Sequence, residues 1–308
     1  MMMAIGAWAQ NVKPVRIIVA FAAGGPVDTM ARTIAEPLGR ALGRTVLVEN
    51  KPGASGAIGA AEVLRADPDG STLWLTSVGS AAINPALYPK LSYNMTKDFA
   101  PVSLVANNIE LFVASAKNPA NDAAELMAIA KQRKDPMPIA SSGKGSIPHL
   151  ALVQLEQSTG IDLLHVPFNG MAPALTNLLG GQVEGVFADV PAVIGQVRSG
   201  RLKALGIASK TRHPLLPDVK TFEEQGFKAV DTNNWYALFV SSKTPPEMVR
   251  ALNRAVHAAV SDPAANAKIS QSGAEPKASS PEELAALLKA DTDKWSQIVR
   301  ARNITADD

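Results

Sequence analysis

Short apolar runs alternate with amphipathic stretches along the 308-residue chain. The runs are mostly apolar and often β-branched, which is typical of strands covered by helices on both faces. Nine runs predict strands: VRIIVAF, RTVLVEN, STLWLTS, ELFVAS, MPIASS, DLLHVPF, VEGVFADV, LKALGIAS and WYALFVS. The alternation predicts a doubly wound α/β protein.

The stretches between many of these runs have helical periodicity. One apolar stripe repeats every four residues, at Met30, Ile34, Leu38 and Leu42. Asn121-Asp122 is typical of a helix N-cap, and Pro245-Pro246 is typical of a first helical turn. Helices are therefore expected after the first strand, from about residue 123 and from about residue 246.

No internal repeat or low-complexity linker divides the chain into two consecutive domains. Two crossover strands are expected instead, one around VSLVANNIELFVAS and one at KAVDTNNWYALFVSS. They predict a first domain of residues 11–107 plus 232–308 and a second domain of residues 108–231. Two such lobes leave a cleft between them, and ligands of open α/β sheets bind beyond the carboxyl ends of the strands.

The first ten residues, MMMAIGAWAQ, resemble the end of a signal peptide. Ala7-Trp8-Ala9 fits the small-x-small pattern of a cleavage site, although a basic segment is missing. No later apolar run approaches the roughly 20 residues of a membrane span. We expect residues 1–10 to be the remnant of a signal peptide and the mature protein to be exported to the periplasm.

Composition excludes several classes of protein. Lys+Arg 30 against Asp+Glu 28 leaves a net charge of +2 without a basic block, so no nucleic acid is expected as a partner. The chain has no cysteine, and its four histidines lack metal-ligand spacing, so we predict no metal and no cofactor. No paired carboxylates and no GxSxG motif stand out, which indicates binding without turnover.

Turns rich in glycine and hydroxyl groups follow the predicted strands. Glycine allows close approach of a ligand, hydroxyls donate hydrogen bonds, and the first N–H groups of a helix attract anions. These turns predict a carboxylate site built from loop amides and hydroxyls, with candidate residues Ala23, Gly24, Gly25, Ser77, Gly79, Ser80, Ser142, Gly143, Gly145 and Ser146.

Nearly the whole chain from about Lys13 onward resembles one family. FAAGGPVDTMARTIAEPLGRALG, NKPGASGAIGAAEVLRADPDGSTLWLTS, GKGSIPHLA, LLHVPFNGMAPALTNLLGGQVEGVFAD and WYALFVSSKTPPEMV look like the Bug (TctC-like) solute receptors of tripartite tricarboxylate transporters. The resemblance implies a two-lobed periplasmic binding protein of type II fold, with two α/β domains joined by two crossover strands. It also implies a monomer that captures a small carboxylated or amidated molecule and delivers it to membrane transporter subunits.

The resemblance adds further residues to the ligand site: Asp28, His149, Phe168, Asn169 and Asp189. Three of them also have a structural interpretation. Asp28 can stabilise the first helical turn through the helix dipole, His149 can pack in the interior, and Asp189 can cap a helix. We expect His165 to be a core residue and His213 to lie on the surface.

Two other functions fit the same sequence. A sensory receptor that passes lobe closure to a signalling partner would have the same ligand site. An enzyme would have to convert the bound molecule. A transport receptor fits the site best, because the turns offer hydrogen-bond donors but no evident nucleophile and base.

Overall fold

In a computed structural model, the structure describes residues 13–168 and 170–305. The predicted signal-peptide remnant lies outside the described residues. All nine runs predicted as strands coincide with strands, which confirms the α/β prediction. The strands in the described part of the chain are β1 (Val15–Val19), β2 (Val46–Asn50), β3 (Thr72–Ser77), β4 (Phe99–Ser115), β5 (Met137–Ser141), β6 (Leu163–Pro167), β7 (Gly185–Asp189), β8 (Leu202–Ile207), β9 (Asn233–Ser241) and β10 (Glu275–Pro276).

Several helices begin at a residue whose side chain caps them. Asp122 accepts a hydrogen bond from the Glu125 N–H, and Ser280 forms a capping box with Glu283. The α-helices of the described residues are α1 (Pro26–Leu42), α2 (Ala57–Arg65), α3 (Asn84–Leu87), α4 (Met95–Asp98), α5 (Ala123–Gln132), α6 (Ile147–Thr159), α7 (Met171–Gly180), α8 (Val190–Arg198), α9 (Pro246–Ser261), α10 (Pro263–Ser272) and α11 (Pro281–Ala301).

Two sheets share the long strand β4. The first half of β4 pairs antiparallel with β9, and this sheet continues through β3 and β1 to β2. The second half pairs with β7 and β8, and that sheet continues through β5 to β6. The partner of β4 changes from β9 to β7 between Ile109 and Glu110. The chain therefore has a two-lobed fold with strands crossing between the lobes, whereas the domain limits 11–107 plus 232–308 and 108–231 stay a prediction.

Both sheets bury apolar side chains on each face. We call the lobe that contains β1, β2, β3 and β9 lobe 1 and the lobe that contains β5, β6, β7 and β8 lobe 2. In lobe 1, α1 and α9 cover one face of the sheet, and α2, α3 and α11 cover the other. In lobe 2, α5 and α6 cover one face, and α7 and α8 cover the other. This double cover is why the strand sequences are nearly continuous apolar runs. In the described part of the chain, no helix is long and apolar enough to span a membrane.

The two lobes also contact each other directly. Ile147 and Leu150 of α6 are buried in the same apolar cluster as Leu87 of α3 and Trp295 of α11. Lobe 2 therefore packs against lobe 1 through α6, close to the turn that joins β5 to α6.

Candidate functional site

The turn after β1 is open and leads directly into a helix start. Ala23 and Gly24 are exposed, and Gly24 has a φ of 82°, a conformation that favours glycine. Gly25 is the N-cap of α1 and Pro26 is its first residue, so no side chain caps this helix. An uncapped helix start presents free N–H groups with partial positive charge, which suits an anion.

The buried carboxylate of Asp28 stabilises this turn through hydrogen bonds. Its side chain is buried, and its carboxylate accepts hydrogen bonds from the Gly24 N–H at 2.8 Å, Arg32 Nε at 3.0 Å and Asn50 Nδ2 at 2.9 Å. Burial acts to raise the pKa of Asp28, but these hydrogen bonds together outweigh it and lower the pKa. The carboxylate is therefore committed to holding Gly24 in place.

Two serines at the end of β3 and in the turn that follows it have hydroxyls with different contacts. The hydroxyl of Ser80 donates to the Ser55 carbonyl at 2.9 Å, so it ties this turn to the one after β2. Ser77 lies at the carboxyl end of β3, and its hydroxyl has no hydrogen-bond partner among the described residues. Gly79 begins a π-helical turn between them. Of the predicted pair, Ser77 has a hydroxyl available to a ligand.

The turn after β2 contributes more than the sequence indicated. Ala54 and Ser55 both have positive φ angles, 45° and 51°, which is unusual for residues with side chains. The Ser55 carbonyl accepts hydrogen bonds from Ser80 and, at 2.7 Å, from Asn84 Nδ2. Consecutive positive φ angles of non-glycine residues are strained, and such strain concentrates at functional sites.

The two serines of the lobe 2 turn after β5 differ in the same way as Ser77 and Ser80. Ser146 is the N-cap of α6, where its hydroxyl accepts from the His149 N–H and donates to the Gly143 carbonyl at 2.7 Å. The Ser142 hydroxyl has no hydrogen-bond partner among the described residues. Gly143 and Gly145 have φ angles of 136° and 69°. Ser142 is therefore the lobe 2 counterpart of Ser77.

A pair of stacked histidines supports the lobe 2 turn. The rings of His149 and His165 lie 3.8 Å apart and nearly parallel, at 4°. Nδ1 of His149 accepts from the Gly145 N–H at 2.9 Å, and Nε2 of His165 lies 2.6 Å from the Ser141 hydroxyl. Burial, helped by nearby positive charge, lowers the pKa of His149 to about 3 and that of His165 to about 4. His149 is thus a neutral ring that accepts a hydrogen bond from the backbone of the turn. His165, which we expected to be a core residue, stacks against it.

Both histidines should therefore stay neutral at physiological pH. Between pH 5 and 8, the ring nitrogen shifts of His149 and His165 in NMR spectra of the folded protein should not change. The unfolded chain binds more protons than the folded one from about pH 6.5 down to about pH 4. Stability should accordingly fall as pH falls through that range. Titration of either folded ring near pH 6.5 would contradict the neutral stack, and the urea-unfolded chain provides the reference.

The segment after β6 closes the lobe 2 turn. The Phe168 N–H donates to the Ser141 carbonyl at 3.0 Å, and the Gly170 N–H donates to the Ser142 carbonyl at 3.3 Å. The Phe168 side chain is half-buried against the cluster under α7 and α8. Asn169, the other predicted residue here, lies outside the described residues.

Asp189 neither caps α8 nor stands alone. Its carboxylate forms no cap hydrogen bond with that helix. It accepts from Asn234 Nδ2 at 3.0 Å and from the Tyr236 hydroxyl at 2.8 Å, and it lies directly opposite Glu110 in the pairing of β4 with β7. No such pair stands out in the sequence, because β4 and β7 are adjacent only in the folded sheet.

His213 was also predicted wrongly. It is buried rather than on the surface, and its Nε2 lies 2.9 Å from the Gly273 carbonyl. This contact joins the segment after β8 to the end of α10. The sequence around His213 is polar and rich in proline, so it gave no sign of burial.

The candidate site residues are distributed over both lobes. The lobe 2 turn reaches lobe 1, because a Cβ added at Gly145 would lie 2.1 Å from Leu87 Cδ1. The turns offer uncapped backbone amides and the free hydroxyls of Ser77 and Ser142. Such an arrangement can hold an anion through uncharged donors, with water completing the hydrogen bonds.

Comparison with known proteins gives one family of receptors. Residues 30–304 match the model of the tripartite tricarboxylate transporter family receptor. The chain is 32% identical over 289 residues to the protein BugT of Bordetella pertussis, covering 94% of this chain and 89% of BugT.

Two solved structures with bound carboxylates are similar over nearly their whole length. One is MatC from Rhodopseudomonas palustris with bound malate, with 33% identity, a TM-score of 0.83 and coverage of 94% of this chain and 99% of that one. The other is an R. palustris protein with adipate, with 28% identity, a TM-score of 0.88 and coverage of 96% and 100%.

Proposed function

Because this chain belongs to the tripartite tricarboxylate transporter family of receptors, which are solute-binding proteins, we propose that it captures a small carboxylate between its lobes. In this proposal it acts in the periplasm as a monomer without a cofactor. It releases the ligand to the membrane subunits of a transporter and does not convert it.

One observation carries the proposal: each lobe places a free hydroxyl at the carboxyl end of a strand. Ser77 follows β3 in lobe 1, and Ser142 follows β5 in lobe 2. A ligand carboxylate that takes a hydrogen bond from each would connect the lobes. The open turn at Ala23 to Gly25 adds uncapped amides of α1 on the lobe 1 side. The malate and adipate bound to the similar structures are anions of the class that such a site would accept.

Binding of malate and adipate to single-serine variants tests the proposal. Hydrogen bonds to charged groups contribute about 1.5–3 kcal/mol, so Ser77→Ala and Ser142→Ala should each weaken binding of the preferred acid about tenfold or more. Their free energies of unfolding should change little, because neither hydroxyl has a hydrogen-bond partner to lose among residues 13–168 and 170–305. Titration calorimetry measures the affinity, and urea unfolding measures the stability.

Ser80→Ala is the matched control. Its hydroxyl bonds to the Ser55 carbonyl, so we expect a loss of about 1 kcal/mol in stability and a smaller loss of affinity than for Ser77→Ala. The proposed ligand class is wrong if neither acid, nor any other small carboxylate in a thermal-shift panel, raises the melting temperature of protein refolded free of ligand.

A further inference from the structure

The boundary between the lobes contains a pair of carboxyl groups, Glu110, which is buried, and Asp189, which is half-buried. Glu110 of β4 and Asp189 of β7 are directly opposite in the antiparallel pairing, so the two side chains are neighbours on one face of the sheet. The Glu110 side chain is 1% exposed. Two carboxyl groups can share a hydrogen bond only if one of them carries a proton.

This pair is connected to lobe 1 through β9. The Tyr236 hydroxyl and Asn234 Nδ2 both donate to Asp189, at 2.8 and 3.0 Å. Tyr236 pairs with Ala106 in the lobe 1 sheet, whereas Asp189 ends a strand of the lobe 2 sheet. Relative rotation of the lobes about the crossover strands would therefore separate Asp189 from these two donors.

The surroundings offer nothing to stabilise a second negative charge. Burial raises the pKa of Glu110 well above its usual value, and the Asp189 charge adds to this effect. Burial also raises the pKa of Asp189, and the pKa of Tyr236 is raised for the same reason. Among the described residues, these three are the titratable groups that act on one another here, and none of them is a cation.

Unpartnered acceptors lie beside the pair. Glu110 Oε2, Asn108 Oδ1 and Asn234 Oδ1 are buried without a hydrogen-bond partner. Asn108 is two residues from Glu110 on β4 and directly opposite Asn234 on β9, so the three side chains share one face of the sheet. The two asparagine oxygens cannot donate a hydrogen bond to an ionised Glu110. Loss of the shared proton would leave a charged Glu110 beside Asp189, whose own donors are Asn234 and Tyr236, so water would have to stabilise the charge on Glu110.

We propose that closure of the lobes is linked to one proton, shared by Glu110 and Asp189 at the crossover strands. With the proton bound, Asp189 holds Tyr236 and Asn234 and the lobes stay closed. When the proton is lost, the open form is favoured, because rotation of the lobes lets water reach the two carboxylates. This inference deepens the proposed function, since it describes how pH would regulate capture and release at the cleft between the lobes.

The test follows the distance between the lobes in protein refolded free of ligand. The chain has no cysteine, so spin labels can be placed on Lys131→Cys in α5 and Arg254→Cys in α9, both exposed. Double electron–electron resonance spectroscopy then gives the distribution of distances between the two labels from pH 5 to pH 9. Linkage to one proton predicts that the ratio of closed to open molecules falls by up to about tenfold per pH unit as the pair ionises.

Glu110→Gln separates this mechanism from a general effect of pH. The amide still donates to Asp189 but cannot ionise, so the variant should remain closed from pH 5 to pH 9. Glu156→Gln is the matched control, because burial also raises the pKa of Glu156, which lies in α6 away from the pair. It should keep the pH response of the parent protein.

The proposal is overturned if the parent distances do not change with pH, or if Glu110→Gln opens as the parent does. Should Glu110→Gln fail to fold, Tyr236→Phe tests the same link. That variant should lower the closed fraction at pH 5 and flatten the pH response, and a response equal to that of the parent would overturn the proposal. None of these measurements uses a ligand, so their failure is distinguishable from failure of carboxylate binding.

Discussion

Replacing Asp28 by alanine is expected to lower the free energy of unfolding by about 1.5–3 kcal/mol, the range for hydrogen bonds to a charged group. The change removes the acceptor of the Gly24 N–H, of Arg32 Nε and of Asn50 Nδ2. The side chain of Arg32 is 54% exposed, so water replaces much of what that ion pair contributes. Most of the loss should therefore come from the backbone and amide donors, and urea unfolding at pH 7 measures it.

Acid should remove the same contribution. Because the folded-state pKa of Asp28 is lowered, the unfolded chain binds more protons near pH 4, and the stabilisation is lost as pH falls through the folded value. The difference in stability between the parent and Asp28→Ala should therefore shrink below about pH 4. Glu36→Ala is the matched control in the same helix, because the side chain of Glu36 is 85% exposed and pairs with the exposed Arg40. It should change stability by less than about 0.5 kcal/mol, and an equal loss in both variants would contradict the role given to Asp28.

Replacing Gly56 by alanine should destabilise the protein by about 2–4 kcal/mol. Gly56 has a φ of 97°, which costs a side-chain-bearing residue about 1–2 kcal/mol. An added Cβ would also lie 2.4 Å from Ser80 Oγ, and crowding of this kind typically costs about 1–3 kcal/mol. Ser80 cannot move away without breaking its hydrogen bond to the Ser55 carbonyl.

Gly43→Ala isolates the backbone part of this cost. Gly43 has a φ of 64° at the end of α1, and an added Cβ there would meet no atom within 4 Å. It should lose about 1–2 kcal/mol in urea unfolding, less than Gly56→Ala. Equal losses in the two variants would show that contact with Ser80 contributes nothing. A larger loss at Gly56 would show that the turns after β2 and β3 are held as one unit.

The secondary structure could be predicted from the sequence because both sheets are covered on both faces. Strands such as β3 and β7 therefore carry apolar residues at nearly every position, and their limits are visible without the fold. The glycine and hydroxyl turns were equally visible, because they follow the strands directly. The rule that ligands bind at the carboxyl ends of such strands predicts that these turns face one cleft.

The role of each hydroxyl depended on contacts between distant segments. Ser77 and Ser80 look alike in sequence, but only Ser80 meets the Ser55 carbonyl from the neighbouring turn. Ser142 and Ser146 differ in the same way, because Ser146 caps α6. A local pattern cannot distinguish a free hydroxyl from a bonded one when the acceptor comes from elsewhere in the chain.

The carboxyl pair shows the same limit most clearly. Local sequence places Glu110 at the start of an apolar run and Asp189 at the end of another, with nothing to connect them. Register between β4 and β7 brings them together, and the crossing of β9 adds Tyr236. Apolar periodicity thus established the strands, the two-lobed architecture and the position of the turns. Pairing between remote strands established which hydroxyls are bonded and which carboxyl groups face each other, because these depend on neighbours that the linear order does not show.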